Sequence, residues 1–293
     1  MARFVLSAFA DEAGETVLDQ ITALKENGIR FIEPRTFSNK GILTLSEEEL
    51  SEIKKALDEN GIKVNSLGSP IGKYNIEDPF DVHLEQFEKA LRACEILDTD
   101  KMRMFSFFVK GDELKKHRDE VIVRLKEMVK IATERGIKLC HENESAIYGQ
   151  NPEEVFDLLT NVEGLYGIFD AANYRMNGQD VMKGIEATLL NPAYVHIKDA
   201  HYESQTILPA GEGEGRIAEI LNIVNDKVDG VVYLTLEPHL MEFFAYKNID
   251  KHTLKGRYAF DSNREAFDFA VNTLKNLLIK EGYREDGNGE WIK

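Results

Sequence analysis

The chain has 293 residues, of which 43% are hydrophobic and 30% are charged, and this composition indicates a folded core rather than disorder. Its formal net charge of −16 argues against a nucleic-acid partner, because binding to a phosphate backbone depends on clustered Lys and Arg. No apolar run is long enough to span a bilayer, and the first residues lack a signal-peptide pattern. We therefore expect a cytoplasmic protein with no membrane partner. In that compartment Cys94 and Cys140 are expected to be reduced.

A repeated pattern of helix, glycine and short apolar strand organises the chain. It occurs at Gly28-Ile29, Gly61-Ile62 and Gly136-Ile137, and more loosely at Gly230-Val231. Glycine readily takes the left-handed conformation that ends a helix. The first two copies lie 33 residues apart, which is about the length of one βα unit with parallel strands. The pattern therefore predicts a fold of repeated βα units.

Taken in chain order, the sequence predicts eight strands that alternate with eight helices. The predicted strands are Phe4–Ala8, Arg30–Pro34, Lys63–Leu67, Arg103–Phe107, Lys138–His141, Leu165–Asp170, Tyr194–Lys198 and Val232–Glu237. The predicted helices cover residues 15–27, 46–60, 79–97, 116–135, a short segment after Pro152, and residues 180–190, 216–225 and 263–280. This count favours a single α/β domain, a (β/α)8 TIM barrel over residues 1–282. An open doubly wound sheet is the alternative, although no Gly-x-Gly-x-x-Gly follows the first strand.

Three segments lie outside this regular alternation. Residues 211–215 are rich in glycine, but their two glutamates would repel phosphate, so we expect a mobile loop there. Residues 283–293 are predicted to form a frayed C-terminal tail. The aromatic-rich segment Leu240–Asp261 is predicted to form either a lid or a contact in a homo-oligomer, and its sequence does not choose between them.

Four polar residues stand at the ends of the last four predicted strands: Glu142, Asp170, His196 and Glu237. In a barrel, the carboxyl ends of neighbouring strands share one mouth. Each residue alone has a structural explanation, as a helix cap, a loop carboxylate or a buried hydrogen-bonded histidine. Together, three carboxylates and an imidazole would repel one another unless a cation lay among them. The set predicts one divalent metal ion, with Mn²⁺ as the first choice and Mg²⁺, Co²⁺ or Zn²⁺ as alternatives.

These residues carry a resemblance to a known family. The chain resembles the xylose isomerase-like barrel superfamily, in particular its sugar (phosphate) isomerase/epimerase branch. The matching pieces are Phe31-Ile32-Glu33-Pro34-Arg35, Glu142-Asn143, Phe169-Asp170, His196-Ile197-Lys198-Asp199 and Glu237. The resemblance implies that the four residues at the strand ends bind one divalent metal. It also implies that Glu142 and Glu237 lie on opposite sides of the substrate and are the catalytic proton-transfer groups.

The implied activity is that of a metal-dependent isomerase or epimerase of a ketose or related sugar, acting through an enediolate. Two positions depart from the family pattern, because relatives often carry His where this chain has Glu144 and Asn173. An inosose-type dehydratase on the same metal site and a non-catalytic sugar-binding barrel therefore remain alternatives. A multi-zinc nuclease is disfavoured, because such a site needs more His ligands than the seven scattered histidines readily supply.

Further residues are predicted to contact a sugar or polyol substrate. Glu33 and Arg35 are expected to form an ion pair that bounds the pocket, with a plain surface pair as the alternative, and Phe9 is expected to wall the pocket. The remaining predicted contacts are Asn173, Glu144 and Lys198. Strand alternation places Lys198 on the same side of its strand as His196, and it turns Asp199 elsewhere, so Asp199 is expected to be structural. Lys73 is either a phosphate contact or a solvated surface residue.

Overall fold

The computed structural model describes residues 1–110, 113–244 and 258–293. Its strands, numbered β1 to β14 in chain order, are Ala2–Ala8, Phe31–Ile32, Thr36–Phe37, Lys40–Gly41, Lys63–Val64, Lys101–Met104, Lys138–Glu142, Tyr166–Asp170, Pro192–Ile197, Asp199–His201, Thr206–Leu208, Gly230–Leu236, Arg284–Glu285 and Glu290–Ile292. The α-helices, α1 to α9, are Val17–Glu26, Glu47–Glu59, Phe80–Leu97, Arg118–Glu134, Pro152–Asn161, Ala171–Met176, Val181–Thr188, Ile217–Lys227 and Asn263–Lys280. Short 3-10 turns cover Ala10–Glu12, Ile42–Thr44 and Leu114–His117.

Eight of these strands form a closed parallel barrel, which confirms the predicted (β/α)8 architecture. Six of them, in the order β6, β7, β8, β9, β12 and β1, pair side by side in parallel. The strand β2 pairs in parallel with β5. A few backbone hydrogen bonds close the circle. Glu33 N donates to Ala8 O at 3.0 Å, and Leu67 both donates its N–H to Lys101 O and accepts from Arg103 N, each at 2.9 Å. The carboxyl ends of all eight strands therefore face one mouth.

Local sequence signals explain where the helices begin and end. Both Thr16 and Ser46 make capping boxes, with an acidic residue three positions later that bonds back to the cap. Gly28, Gly61 and Gly136 follow α1, α2 and α4 with φ of 68°, 70° and 71°, which is the left-handed conformation that the repeated pattern predicted. The helix–glycine–strand pattern is therefore the sequence signal that sets the βα repeat.

Several predicted element bounds differ from the structure. The strands β2 and β5 are only two residues long, and the fourth barrel strand, β6, lies two residues earlier than predicted at its start. The six-residue helix α6 was not predicted, because it starts directly after β8 with no intervening loop and is too short to show a helical period. Asp170 is the N-cap residue of this helix, and its side chain accepts a hydrogen bond from the backbone of the first turn.

The prediction that residues 283–293 form a frayed tail is wrong. Strands β13 and β14 form an antiparallel ribbon, and β14 pairs antiparallel with β1 through Phe4 and Trp291. The side chains of Tyr283 and Trp291 are buried, and the ring of Tyr283 lies 5.3 Å from that of Phe4. Burial of these two large aromatic rings stabilises a segment whose polar composition alone suggested disorder.

The glycine-rich segment at residues 211–215 is organised around one carboxylate, which contradicts the predicted mobile loop. Asp199 is fully buried and accepts hydrogen bonds from the backbone N–H groups of Gly211, Gly213 and Gly215 at 2.7–3.0 Å. A Cβ on Gly213 or Gly215 would overlap this carboxylate. The predicted structural role of Asp199 is thus confirmed, and the loop binds an anion that belongs to the chain itself.

Two further findings concern the remaining segments. In the residues that the structure describes, no helix is both long enough and apolar enough to cross a membrane. Cys94 and Cys140 are free thiols and buried. Residues 245–257, which form the middle of the predicted lid or oligomer segment Leu240–Asp261, lie outside the described residues.

Candidate metal centre

The four residues predicted to bind a metal converge at the mouth of the barrel. Glu142 and Asp170 end β7 and β8, His196 lies in β9, and Glu237 directly follows β12. Each offers one ligand atom, and these four atoms all lie within 4.8 Å of one another. All four side chains are buried. The parallel register produces this convergence, since Asp170 lies opposite His196 in the pairing of β8 with β9.

Asp170 serves both a helix and the cluster. Its Oδ1 accepts the backbone N–H of Asn173 at 2.8 Å and so caps α6. Its Oδ2 is buried and accepts no hydrogen bond, although Lys198 Nζ lies 3.0 Å away. Asn143 fixes the backbone of Asp170, because its side chain both donates to the carbonyl and accepts from the N–H of that residue, at 3.0 and 2.9 Å. One oxygen is therefore structural and the other faces the cluster.

His196 is held by carboxylates on both sides of its ring. Its Nδ1 lies 3.0 Å from Glu142 Oε1 and 3.5 Å from Glu237 Oε2. Its Nε2 lies 3.3 Å from Glu33 Oε2 on the other side. The Nδ1 atom therefore faces the cluster, and the Nε2 atom faces the barrel interior.

Protein cations also pair with the three carboxylates of the cluster. Arg103 Nη1 lies 3.2 Å from Glu142 Oε2, and Arg35 Nη1 lies 3.1 Å from Glu237 Oε1. Lys198 Nζ lies 3.4 Å from Glu237 Oε2, in addition to its contact with Asp170. A metal is therefore not the only source of positive charge at the cluster, because three buried basic side chains already offset part of the repulsion.

The protonation of the cluster shows what charge is still needed. Burial raises the pKa of Asp170 to about 7, because the charge of Lys198 offsets only part of the lost hydration. Burial by itself would lower the pKa of His196, but the charges of Glu142 and Glu33 outweigh it and raise that pKa to about 10. Without an ion, the cluster therefore holds protons near neutral pH, and a divalent cation would supply that positive charge in their place.

These observations fit a divalent metal. The donor set of three carboxylates and one imidazole suits Mn²⁺, Mg²⁺ or Zn²⁺. The Oδ2 of Asp170, which accepts no hydrogen bond, and the inward Nδ1 of His196 are atoms that such an ion would use. The remaining ligands would come from Glu142 and Glu237.

Aromatic rings wall the cluster. Phe9, predicted to line the pocket, lies beneath two guanidinium groups, 4.3 Å from Arg35 and 4.8 Å from Arg103. The edge of its ring also contacts His196, with centroids 5.2 Å apart. Phe105 lies under Arg103 at 5.2 Å and under Lys73 at 4.5 Å. Cation–π contacts of this kind hold the basic side chains in place while excluding water.

The expected ion pair between Glu33 and Arg35 is wrong. Arg35 Nη2 pairs instead with Asp11 at 2.9 Å and with Glu12 at 3.3 Å, in addition to the contact of its Nη1 with Glu237. Glu33 points into the barrel interior, toward His196. Alternation along this short segment places both side chains inside the barrel but at different depths, so they meet different partners.

Three further predicted substrate contacts lie at the cluster or its rim. Asn173 Nδ2 donates to Glu142 Oε1 at 3.3 Å and to the Asn143 carbonyl at 2.8 Å, so it orients the Glu142 carboxylate. Glu144 pairs with Lys73 at 2.9 Å, which neutralises the charge that its carboxylate would add to the mouth. Lys198 lies between two cluster carboxylates, on the same side of the chain as His196, as alternation predicted.

Several residues at the site were not predicted from the sequence to be site residues. Arg103 is a charged residue between Met102 and Met104 in a predicted strand. Its position is a weak sequence signal for a buried charge. His239 Nε2 lies 3.2 Å from Glu237 Oε1, and its backbone N–H donates to Glu12 Oε2 at 2.6 Å. No local pattern points to Glu12, whose contact is 227 residues away in sequence. These contacts depend on the closure of the barrel.

Comparison with known proteins supports the same fold. The family model of the xylose isomerase-like TIM barrel matches residues 21–252. No curated protein sequence is significantly similar to the chain. A D-allulose 3-epimerase from Methylomonas sp. in complex with D-allulose is 16% identical, with 94% of this chain and 98% of that chain covered and a TM-score of 0.71.

Two other solved structures are similarly related. The probable 3-DHS dehydratase AsbF from Bacillus anthracis is 15% identical, with coverage of 94% and 99% and a TM-score of 0.69. The IolI protein with a bound zinc atom is 15% identical, with coverage of 95% and 99% and a TM-score of 0.70. These likenesses establish the shared fold, and the family model extends over most of the sequence. The chain belongs to the xylose isomerase-like TIM barrel family.

Proposed function

We propose that this protein is a divalent-metal-dependent isomerase or epimerase of a ketose or related sugar. The observation that carries the proposal is the convergence of Glu142, Asp170, His196 and Glu237 in one buried cluster at the mouth. Two of these carboxylates, Glu142 and Glu237, come from the ends of the separated barrel strands β7 and β12, and both approach His196 Nδ1. Relatives of the same fold include enzymes named as sugar 3-epimerases, which is consistent with this reaction class.

The metal has a limited and defined role in this proposal. Glu142, Asp170, His196 and Glu237 would hold the divalent ion, which would supply the positive charge that stabilises an enediolate. We propose Mn²⁺ first, because carboxylate oxygens dominate the donor set.

The chain's own carboxylates would move the protons. Burial raises the pKa of Glu142, but the nearby positive charges of His196 and Arg103 outweigh it and lower the pKa to about 2. Glu237 likewise has its pKa held well below the usual range, because Lys198 and His239 outweigh the effect of burial. Both side chains are therefore ionised, which a proton-accepting group must be before it acts.

The position of the two carboxylates determines the product. One carboxylate would remove a proton from the carbon beside the carbonyl, and the other would deliver a proton from the opposite side. Delivery to the other face of the same carbon gives an epimer, and delivery to the neighbouring carbon gives an isomer. Asn173 holds Glu142 at Oε1 and Arg35 holds Glu237 at Oε1, so both carboxylates are oriented before the substrate binds.

Lys198 is suited to binding rather than to proton transfer. Burial would lower its pKa, but the charges of Asp170 and Glu237 raise the pKa above the usual value for lysine. An ammonium group with a raised pKa keeps its proton and donates hydrogen bonds. We therefore propose that it holds a substrate oxygen, with Phe9 and Arg35 as neighbouring walls of the pocket and Glu144 at its rim.

The test is solvent exchange at the carbon beside the carbonyl. The protein, supplied with Mn²⁺ in D₂O, is incubated with a panel of ketoses, and deuterium incorporation and new sugars are followed by NMR. We expect exchange with at least one ketose, and loss of exchange in Glu142→Gln and Glu237→Gln. Glu48→Gln, an exposed change on α2, is the matched control that should retain exchange.

Three results would contradict the proposal. If no ketose exchanges in the presence of bound metal, the protein is not an isomerase or epimerase of the tested class. If the product instead lacks the elements of water, with the absorbance of a conjugated ketone, the site performs an elimination. Binding of a sugar without exchange or elimination would identify a sugar-binding barrel.

A further inference from the structure

A fully buried carboxylate lies directly below the candidate metal centre. Glu33 follows β2 and is 0% exposed, as is His196. Its Oε2 lies 3.3 Å from His196 Nε2, and its Oε1 lies 2.9 Å from the hydroxyl of Tyr194. An ionised carboxylate so far from water costs several kcal/mol unless it is paired and hydrogen-bonded, so its placement calls for a partner that needs it.

The interactions continue in one direction away from the mouth. The Tyr194 hydroxyl lies 2.9 Å from Ser66 Oγ as well as from Glu33. The hydroxyl has a single proton, which it donates to a Glu33 carboxylate oxygen, so Tyr194 accepts from the Ser66 hydroxyl. A line of hydrogen bonds therefore runs from Ser66 through Tyr194 and Glu33 to His196.

This line fixes the orientation of the imidazole. A hydrogen bond to the Glu33 carboxylate requires the proton on Nε2, so in the neutral ring that a metal would require, Nδ1 is the nitrogen without a proton, and it faces Glu142 and Glu237. A flipped or rotated ring would lose this bond and would leave a buried carboxylate unpaired. The edge contact with Phe9 restricts rotation from the other side of the ring.

We propose that Glu33 is a positioning residue of the metal centre, which holds the Nδ1 atom of His196 toward the ion and thereby sets the affinity for metal. This inference rests on the proposed function, because it assumes the same ion at the same four ligands. It replaces the predicted role of Glu33 as a substrate contact, since a side chain with no exposed surface beneath His196 does not reach the substrate. Outer carboxylates that accept from a metal-bound histidine raise its basicity and fix its tautomer.

The test measures metal affinity rather than activity. Manganese and zinc dissociation constants are determined by competition with a chelating dye for the wild type, Glu33→Gln, Glu33→Leu and Tyr194→Phe. We expect Glu33→Gln to weaken binding about 10-fold, because the amide oxygen still accepts from Nε2 but carries no charge, and Glu33→Leu to approach about 100-fold. Tyr194→Phe should weaken binding less than either, since only the outer bond is lost.

A matched control separates positioning from general damage to the fold. Glu154 is also a buried carboxylate, and it accepts the backbone N–H of Gly149 at 3.0 Å, away from the cluster. Glu154→Gln should retain the wild-type affinity for metal. Thermal unfolding of each metal-free variant shows whether the fold persists. If Glu33→Leu does not fold, the metal affinities of Glu33→Gln and Tyr194→Phe still test the positioning role of Glu33.

The outcomes distinguish this inference from the proposed reaction. If the wild type binds metal and the Glu33 variants bind it equally tightly, the inference is overturned while the reaction stands. If metal affinity falls as expected but no ketose exchanges, the reaction is overturned while the inference stands. If the wild type binds no metal, both are overturned.

Discussion

The carboxylate of Asp199 offers a sharp test of how the loop beside the mouth is held. Besides the three glycine N–H groups of residues 211–215, it accepts the N–H of Ala200 at 2.8 Å. Each of its two oxygens serves two donors: Oδ1 binds Ala200 and Gly215, and Oδ2 binds Gly211 and Gly213. The loop thus depends on both oxygens of one side chain.

Asp199→Asn replaces one of these oxygens with an NH₂ group. Whichever way the amide lies, two backbone N–H groups lose their acceptor and face a donor: the buried pair of Ala200 and Gly215, or the part-buried pair of Gly211 and Gly213. An unsatisfied buried donor costs about 1–3 kcal/mol, so we expect the free energy of unfolding to fall by about 2 kcal/mol, the lower end for two donors, because the amide will place its NH₂ group on the part-buried side. Urea denaturation followed by circular dichroism measures this loss, and limited proteolysis should detect new cleavage at residues 211–215.

A second aspartate provides the control for the same chemical change. Asp180 caps α7 at an exposed position and accepts the N–H groups of Met182 and Lys183. Asparagine caps a helix about as well as aspartate, so Asp180→Asn should change stability by less than about 0.5 kcal/mol. A loss below about 1 kcal/mol in Asp199→Asn would refute the reasoning, because the loop would then be held by other contacts.

Two further predictions concern the core. Trp291→Ala should cost about 3–5 kcal/mol, because the buried indole anchors the C-terminal ribbon to β1, and a wild-type midpoint in urea would show that the ribbon is dispensable. Burial, together with the charge of Arg124, lowers the pKa of His83 to about 4. The unfolded chain takes up a proton at this residue near pH 6.5, whereas the folded chain does so only near pH 4. The free energy of unfolding therefore falls as the pH drops from about 6.5 to 4, by up to about 3 kcal/mol. His83→Gln should flatten that acid-side decline, whereas His201→Gln, at a partly exposed position, should leave it unchanged; equal slopes would contradict the assignment.

Much of the fold was predictable because its signals are local. Helix ends at Gly28, Gly61 and Gly136, capping residues such as Ser46, and apolar strands all lie within a few residues of the elements that they define. The tail was mispredicted because its stabilising contact is distant. Trp291 packs against the first strand, and the polar residues around it gave no sign of this partner.

The candidate site shows the same division. The polar residues at four strand ends were visible in the sequence, and a barrel brings strand ends together whatever the details of packing. Arg103 was missed because its partner, Glu142, is set by the pairing of β6 with β7. The partner of Glu33 was misassigned for a similar reason. It meets His196 across the barrel, 163 residues away, rather than its near neighbour Arg35.

The central claim, a divalent ion held by four residues, is tested most directly by elemental analysis of the purified protein and of its Glu237→Gln variant. The account predicts about one Mn, Mg, Co or Zn per wild-type chain and a large loss of that ion in the variant, whose fold is checked by circular dichroism. A wild-type protein that binds no ion, even after incubation with Mn²⁺ and dialysis, would contradict the account. The cluster of Glu142, Asp170, His196 and Glu237 would then be held by its protein cations and protons alone.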